Sequence, residues 1–304
     1  YHPVIILCLR CIASIHSAQG RHRTARSVYN KILELYRESG MAVSKEYADI
    51  LKSMAAQLRA GTHDEQLESQ VLLQQALKIY KDFLGNDHIE VAHTFHQLAS
   101  TYYDIEDYDT AEPLFLEALS IYRRTDAVDI NSPLHNAEQA ARIRQYVHRL
   151  SDRYPLSLAD GGPHSEQQDL SIATKAIPDI LNCLASMSHY NMDYDGAKGL
   201  YTEALRMYLK LYGDINPSVA KVINNLATLM DDKGDVNDAQ ELYERALYVL
   251  QQVYGRRHRQ VVVTMENLAN LLISKGDEDS LEEAKVLLSA VHEIEDELDE
   301  TEEQ

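Results

Sequence analysis

From Asn216 to Leu250 apolar residues recur every three to four positions on a polar background, in two runs separated by Lys233-Gly234-Asp235. That spacing predicts two amphipathic helices, Pro217–Lys233 and Val236–Tyr254, joined by a glycine turn. Small residues (Ala227, Ala239, Ala246) stand where two helices must approach closely, and Leu226, Met230, Tyr243, Leu247 and Leu250 fill the space around them.

The unit recurs. A large-apolar–alanine step stands at Ile12-Ala13, Met54-Ala55, Leu98-Ala99, Leu184-Ala185, Leu226-Ala227 and Leu268-Ala269, with alanine spacings of 42, 44, 86, 42 and 42, the 86 being two periods. Eleven residues before each alanine come His2, Ser44, His88, Thr174, Asn216 and His258. Ser, Thr and Asn are strong N-caps and His a weaker one. The second helix repeats as small-x3-large-x2-small-Leu-x2-Tyr: Ala111-Phe115-Ala118-Leu119-Tyr122 and Ala197-Tyr201-Ala204-Leu205-Tyr208, with looser copies at Ala25–Tyr36 and Ser69–Tyr80. These offsets keep one face apolar, and a lone hairpin cannot bury it, so the pairs must stack.

The repeated small residues resemble the tetratricopeptide repeat (TPR). The 42-residue period, the linkers Leu84-Gly85-Asn86-Asp87-His88 and Tyr212-Gly213-Asp214-Ile215-Asn216-Pro217, and Asn224-Asn225-Leu226-Ala227 are similar to the kinesin-light-chain type. Glu266-Asn267-Leu268-Ala269 matches that motif nearly; His96-Gln97-Leu98-Ala99 departs further. The fold expected is all-α, a right-handed α-solenoid of stacked helix hairpins.

Four segments follow: repeats one to three over 1–130, a degenerate repeat or insertion over 131–168, repeats five to seven with a polar capping helix over 169–298, and an acidic tail over 299–304. Within the second segment Pro133–Ser151 reads as helix, and Pro155, Gly161, Gly162 and Pro163 break it. A fifth pair is expected over Lys175–Tyr190 and Tyr194–Tyr212, with Pro178 moving its ordered start toward Ile177. The last helix is expected over Leu281–Leu298, with Thr301–Gln304 frayed. The opening Tyr1-His2-Pro3 reads as the linker His-Pro of this repeat type, as if cut from a longer precursor.

The formal net charge is −19, unevenly spread: residues 1–60 carry nine Lys/Arg against four Asp/Glu, and residues 169–304 carry 12 against 26. An acidic chain is a poor binder of nucleic acid or anionic membrane, and no apolar run reaches the ~20 residues that span a bilayer. Three cysteines argue against a disulfide scaffold and favour an intracellular, cytoplasmic location, with a mitochondrial one as the alternative. Cys8 and Cys11, a Cys-x2-Cys pair with no second pair, read as buried small hydrophobes rather than zinc ligands. His93 and His96 share a helix face without a third ligand. No phosphate loop, nucleophile elbow or zinc-protease motif occurs, so no catalysis, metal or cofactor is expected.

In this repeat type the first helices line the concave surface. The resemblance therefore implies a peptide groove lined by Arg10, Lys52, His96, Asn182, Asn224 and Glu266, and by Ser14, Ser100, Ser186, Thr228 and Asn270. Its basic start and acidic end call for a partner with acidic residues facing repeats one and two. The function expected is a non-catalytic adaptor that binds a protein or peptide. The alternatives are an assembly factor or accessory subunit of a larger complex, such as one in the mitochondrial inner membrane, and the cargo-binding domain of a motor adaptor.

Overall fold

The computed structural model describes residues 3–41, 43–59, 61–126 and 172–302, and among these no strand occurs. The helices are α1 (Pro3–Ala18), α2 (His22–Glu38), α3 (Lys45–Leu58), α4 (His63–Leu84), α5 (Ile89–Asp104), α6 (Tyr108–Asp126), α7 (Ile172–Tyr190), α8 (Tyr194–Tyr212), α9 (Pro217–Lys233), α10 (Val236–Tyr254), α11 (Arg259–Lys275) and α12 (Glu278–Glu302). The expectations for 131–168 lie outside the described residues.

The chain forms two compact units; the first contains α1–α6 and the second runs from Ile177 in α7 onward. In the first, the hairpins α1/α2, α3/α4 and α5/α6 stack through α2 on α3 and α4 on α5. In the second, α7/α8, α9/α10 and α11/α12 stack through α8 on α9 and α10 on α11. All six marker alanines (Ala13, Ala55, Ala99, Ala185, Ala227, Ala269) are completely buried, as are Ala111, Ala118, Ala197, Ala204, Ala239 and Ala246 of the second helices. Tyr80, Tyr122, Tyr201, Tyr243 and Phe115 are the largest side chains enclosed between them. Where the second-helix pattern has serine, the close crossing survives, because the buried Ser69 Oγ donates to the Ala55 carbonyl at 2.9 Å.

The linker sequence has a local cause. Gly85, Gly213 and Gly255 end second helices at φ 84, 77 and 80° with ψ near 180°, a conformation open to glycine alone. Three residues later stand His88, Asn216 and His258, the N-caps of the next first helices. Both histidines cap as asparagine does: Nδ1 of His88 and of His258 accepts from the amides of Glu90 (3.1 Å) and Gln260 (3.2 Å), beside 2.9 Å from Asn216 Oδ1 to Ser218 N.

Several expectations need correction. Thr174 is no cap, since α7 begins at Ile172 and carries Pro178 in its interior. α12 starts three residues early because the Asp277 carboxylate accepts from Ser280 N at 2.9 Å, and Thr301 and Glu302 are helical. Cys8 and Cys11 are exposed, not buried. Periodicity places a residue on an apolar face but does not supply what covers that face.

Candidate functional site

In the first unit the candidate residues on α3 and α5 carry a charged cluster. Lys52 Nζ hydrogen-bonds the Glu90 carboxylate, lies 3.4 Å from His93 Nδ1, and sits 5.4 Å from the Tyr80 ring centroid. Tyr80 in turn donates to Asp49. Burial above all, then the hydrogen bond to Asp49, pushes the Tyr80 phenol far up, against the opposing field of Arg10. Arg10 acts in the same sense on Tyr29 and Tyr36, whose phenols burial raises. Burial works against ionisation of Glu90, but the Lys52 ammonium, with His93 and Lys45, brings its carboxyl below the ordinary value.

His96 lies partly buried with its ring 5.9 Å from that of Phe115. Its pKa is driven down to about 4, chiefly by burial and then by His93 and Arg59. It is therefore neutral at pH 7. Arg59 itself is held by both oxygens of Asp104, Nη2–Oδ1 being 3.1 Å. Ser100 is buried, and Ser14 is exposed.

In the second unit the face on α7, α9 and α11 is built from amides and hydroxyls. Asn182, 5% exposed, accepts at Oδ1 from Asn225 Nδ2 at 2.9 Å, a rung between adjacent first helices. His189 Nε2 and Asp232 Oδ2 form a second rung at 2.7 Å. Ser186 Oγ and Thr228 Oγ1 each lie 3.0 Å from the phenol of the tyrosine fifteen residues on, Tyr201 and Tyr243. Asn224 is half-buried, and its Oδ1 has no hydrogen-bond partner. Glu266 is half-buried and Asn270 exposed.

Of the eleven candidate residues, then, Lys52, Asn182, Ser186 and Thr228 are occupied within the array. Sequence reasoning missed their partners Glu90, Asn225, Tyr201 and Tyr243, together with the rungs Arg59–Asp104 and His189–Asp232. The separations, 38 to 45 residues between first helices and 15 within a hairpin, were the available signal. Because Glu90 answers Lys52, the basic end of the face is weaker than the count of Arg10 and Lys52 suggests. Among the described residues no group of three or more His, Cys, Asp or Glu is placed to hold a metal ion, and no helix is long and apolar enough to cross a membrane.

The geometry is that of known repeat proteins. BtubC (BKLC) from P. vanneervenii superposes with a TM-score of 0.56 at 18% identity, over 92% of both chains. A putative kinesin light chain of Podosopora anserina with nearly identical TPR-like repeats gives 0.54 at 17% identity, over 84% of this chain and 98% of its own. The assembly chaperone of RpL4, Acl4, gives 0.52 at 14% identity, over 100% of this chain and 99% of its own. At these identities the likeness shows the fold alone. No curated protein matches the chain significantly in sequence. The family model for the tetratricopeptide repeat matches residues 63–124, 177–247 and 218–280, together more than half of the 304 residues. The chain belongs to the tetratricopeptide repeat family.

Proposed function

We propose that the protein is a non-catalytic scaffold, and that the first-helix face of its second unit, around Asn224, Glu266 and Asn270, holds an extended or helical segment of a partner protein. The observation that carries this reading is the Asn224 carboxamide. Its Oδ1 is shielded from water and has no hydrogen-bond partner, between the filled Asn182–Asn225 rung and the Thr228–Tyr243 pair. A shielded acceptor left unpaired costs about 1–3 kcal/mol, and a small rotation of the amide toward a peptide N–H would satisfy it. Asparagine presents both a donor and an acceptor, the set needed to pair with a peptide backbone. The charged cluster of the first unit, with Lys52 neutralised by Glu90 and Arg59 by Asp104, reads as structural.

The test is a peptide selected by display against the chain, its affinity measured by fluorescence polarisation. Asn224→Ala and Asn270→Ala should each weaken binding about five- to tenfold, as the loss of one hydrogen bond requires, while Lys31→Ala on α2 leaves it unchanged. Selected peptides that bind all the first-helix variants as tightly as the wild type would refute the assignment.

A further inference from the structure

Two carboxylates on the first-helix face of the second unit are unanswered. Glu266 of α11 is half-buried, and among the described residues its carboxylate has neither an ion pair nor a hydrogen bond. Asp231 of α9 is half-buried as well and meets no cation there. Burial, and then the neighbouring Asp232, raise its pKa above the ordinary carboxylate value. A carboxylate drawn out of water without a counter-charge is costly.

The cations nearest in sequence are committed elsewhere. Lys233 Nζ lies 3.2 Å from Asp195 Oδ1, Lys275 Nζ lies 3.3 Å from Gln240 Oε1, and His189 takes Asp232 at 2.7 Å. Lys221 and Arg259 are exposed at the linker ends of α9 and α11, about 15 Å from Asp231 and about 10 Å from Glu266 along their helix axes.

The orphaned Asn224 acceptor belongs to the same place. Offsets of three and four residues set Asn224, Thr228 and Asp231 on one strip of α9, and Glu266 and Asn270 on one strip of α11. Burial above all pushes the Tyr243 phenol up, and the charges of Asp231 and Asp232 act in the same sense. That phenol lies 3.0 Å from Thr228 Oγ1, so Asp231 stands at the margin of this strip. The Asn182–Asn225 rung gives the register between adjacent first helices: the residue two before one marker alanine meets the residue three before the preceding marker. In that register Asn267 and Glu266 come beside Asn224, yet Asn224 Oδ1 accepts from neither chain nor side chain. A shielded acceptor without a donor and a carboxylate without a cation therefore stand on neighbouring helices, and a cationic donor satisfies both.

We infer that the partner segment is basic, with one Lys or Arg side chain donating to the Glu266 carboxylate and Asn224 Oδ1 together and a second cation meeting Asp231. The three N–H donors of lysine, or the five of arginine, let one head group serve two acceptors. Asp231 lies seven residues beyond Asn224, about 10 Å along the helix axis, so a helical segment carries its two cations seven residues apart and an extended one about three apart. The surrounding field acts in the same direction, since residues 169–304 carry 26 Asp/Glu against 12 Lys/Arg, which attracts a cationic segment and repels an acidic one. This inference rests on the reading of the first-helix face as a partner site and adds the partner's charge and spacing.

The test is a random peptide library displayed against the full chain at about 150 mM salt. Selected peptides should carry Lys or Arg at one of these two spacings. Glu266→Gln should weaken their binding about tenfold and Asp231→Asn about fivefold, with thermal unfolding unchanged or improved. Glu266→Lys should abolish binding, and reversing the matching peptide cation to Glu should restore it. Peptides that depend on Asn270 but are neutral or acidic, or that ignore both carboxylate substitutions, would overturn the inference and leave the first-helix site standing. Peptides indifferent to Asn270→Ala and to every other first-helix substitution would overturn both.

Discussion

Thr228 Oγ1 lies 3.0 Å from the phenol oxygen of Tyr243, and this pair ties the first helix of a hairpin to its second at the margin of the candidate face. Tyr243 is 2% exposed, so its hydroxyl depends on that partner. Thr228→Val should destabilise the protein by about 1–3 kcal/mol, and Tyr243→Phe in addition should cost little more, because the orphaned hydroxyl is then gone. Chemical denaturation of the three variants measures this; additive losses would show that the pair is not coupled.

The marker alanines carry the stacking. Ala227 is wholly enclosed, and Ala227→Leu would force three further heavy atoms into a filled crossing. The expected loss is about 1–3 kcal/mol or more. Ala56→Leu, at an exposed position of α3, serves as the control, and a calorimetric midpoint for Ala227→Leu equal to the control's would deny the tight crossing.

His96 makes stability depend on pH. Its imidazole titrates at about 4 in the folded protein against an ordinary 6.5, so the unfolded chain takes up the proton first as pH falls. Stability from this group is complete above about pH 6.5 and is lost between pH 6.5 and 4, by on the order of 3 kcal/mol. His96→Gln should flatten that part of the pH profile relative to wild type. An unchanged slope would mean that the ring titrates normally.

Much of this arrangement was legible in the sequence, and the remainder has identifiable causes. The alanine spacing located the hairpins, since only a small residue tolerates the crossing, and the bounds of α9 and α10 follow the apolar pattern residue for residue. The rungs were not legible. Whether Lys52 meets Glu90 depends on the offset between neighbouring hairpins, which a repeat length alone does not specify. Asn225 was visible as part of the Asn-Asn-Leu-Ala motif but gave no hint that it points to Asn182. The cysteines of α1 were misread for a different reason: the face is apolar, but the described residues place no helix over it.

The hairpin turn shows a choice the sequence did not advertise. Seven residues after five of the six marker alanines the backbone is left-handed, with glycine at Gly20, Gly234 and Gly276 but Glu106 (φ 62°) and Met192 (φ 60°) in two hairpins, whereas Thr62 after Ala55 is an extended N-cap. Met192 is 76% exposed, so its side chain contributes little packing to offset the strain. Met192→Gly should stabilise the protein by about 0.5–1 kcal/mol, and Gly234→Ala should destabilise it by about 1 kcal/mol. Thermal denaturation decides, and a less stable Met192→Gly would show that the turn is not strained.

The central claim is that a partner segment lies along the first helices of the second unit. Hydrogen exchange read by mass spectrometry, with and without a display-selected peptide, tests it directly. The account predicts slowed exchange concentrated in α9 and α11 around Asn224 and Asn270, with α10 little changed. Protection confined to α10, α12 or residues 127–171, with α9 and α11 unaffected, would contradict it.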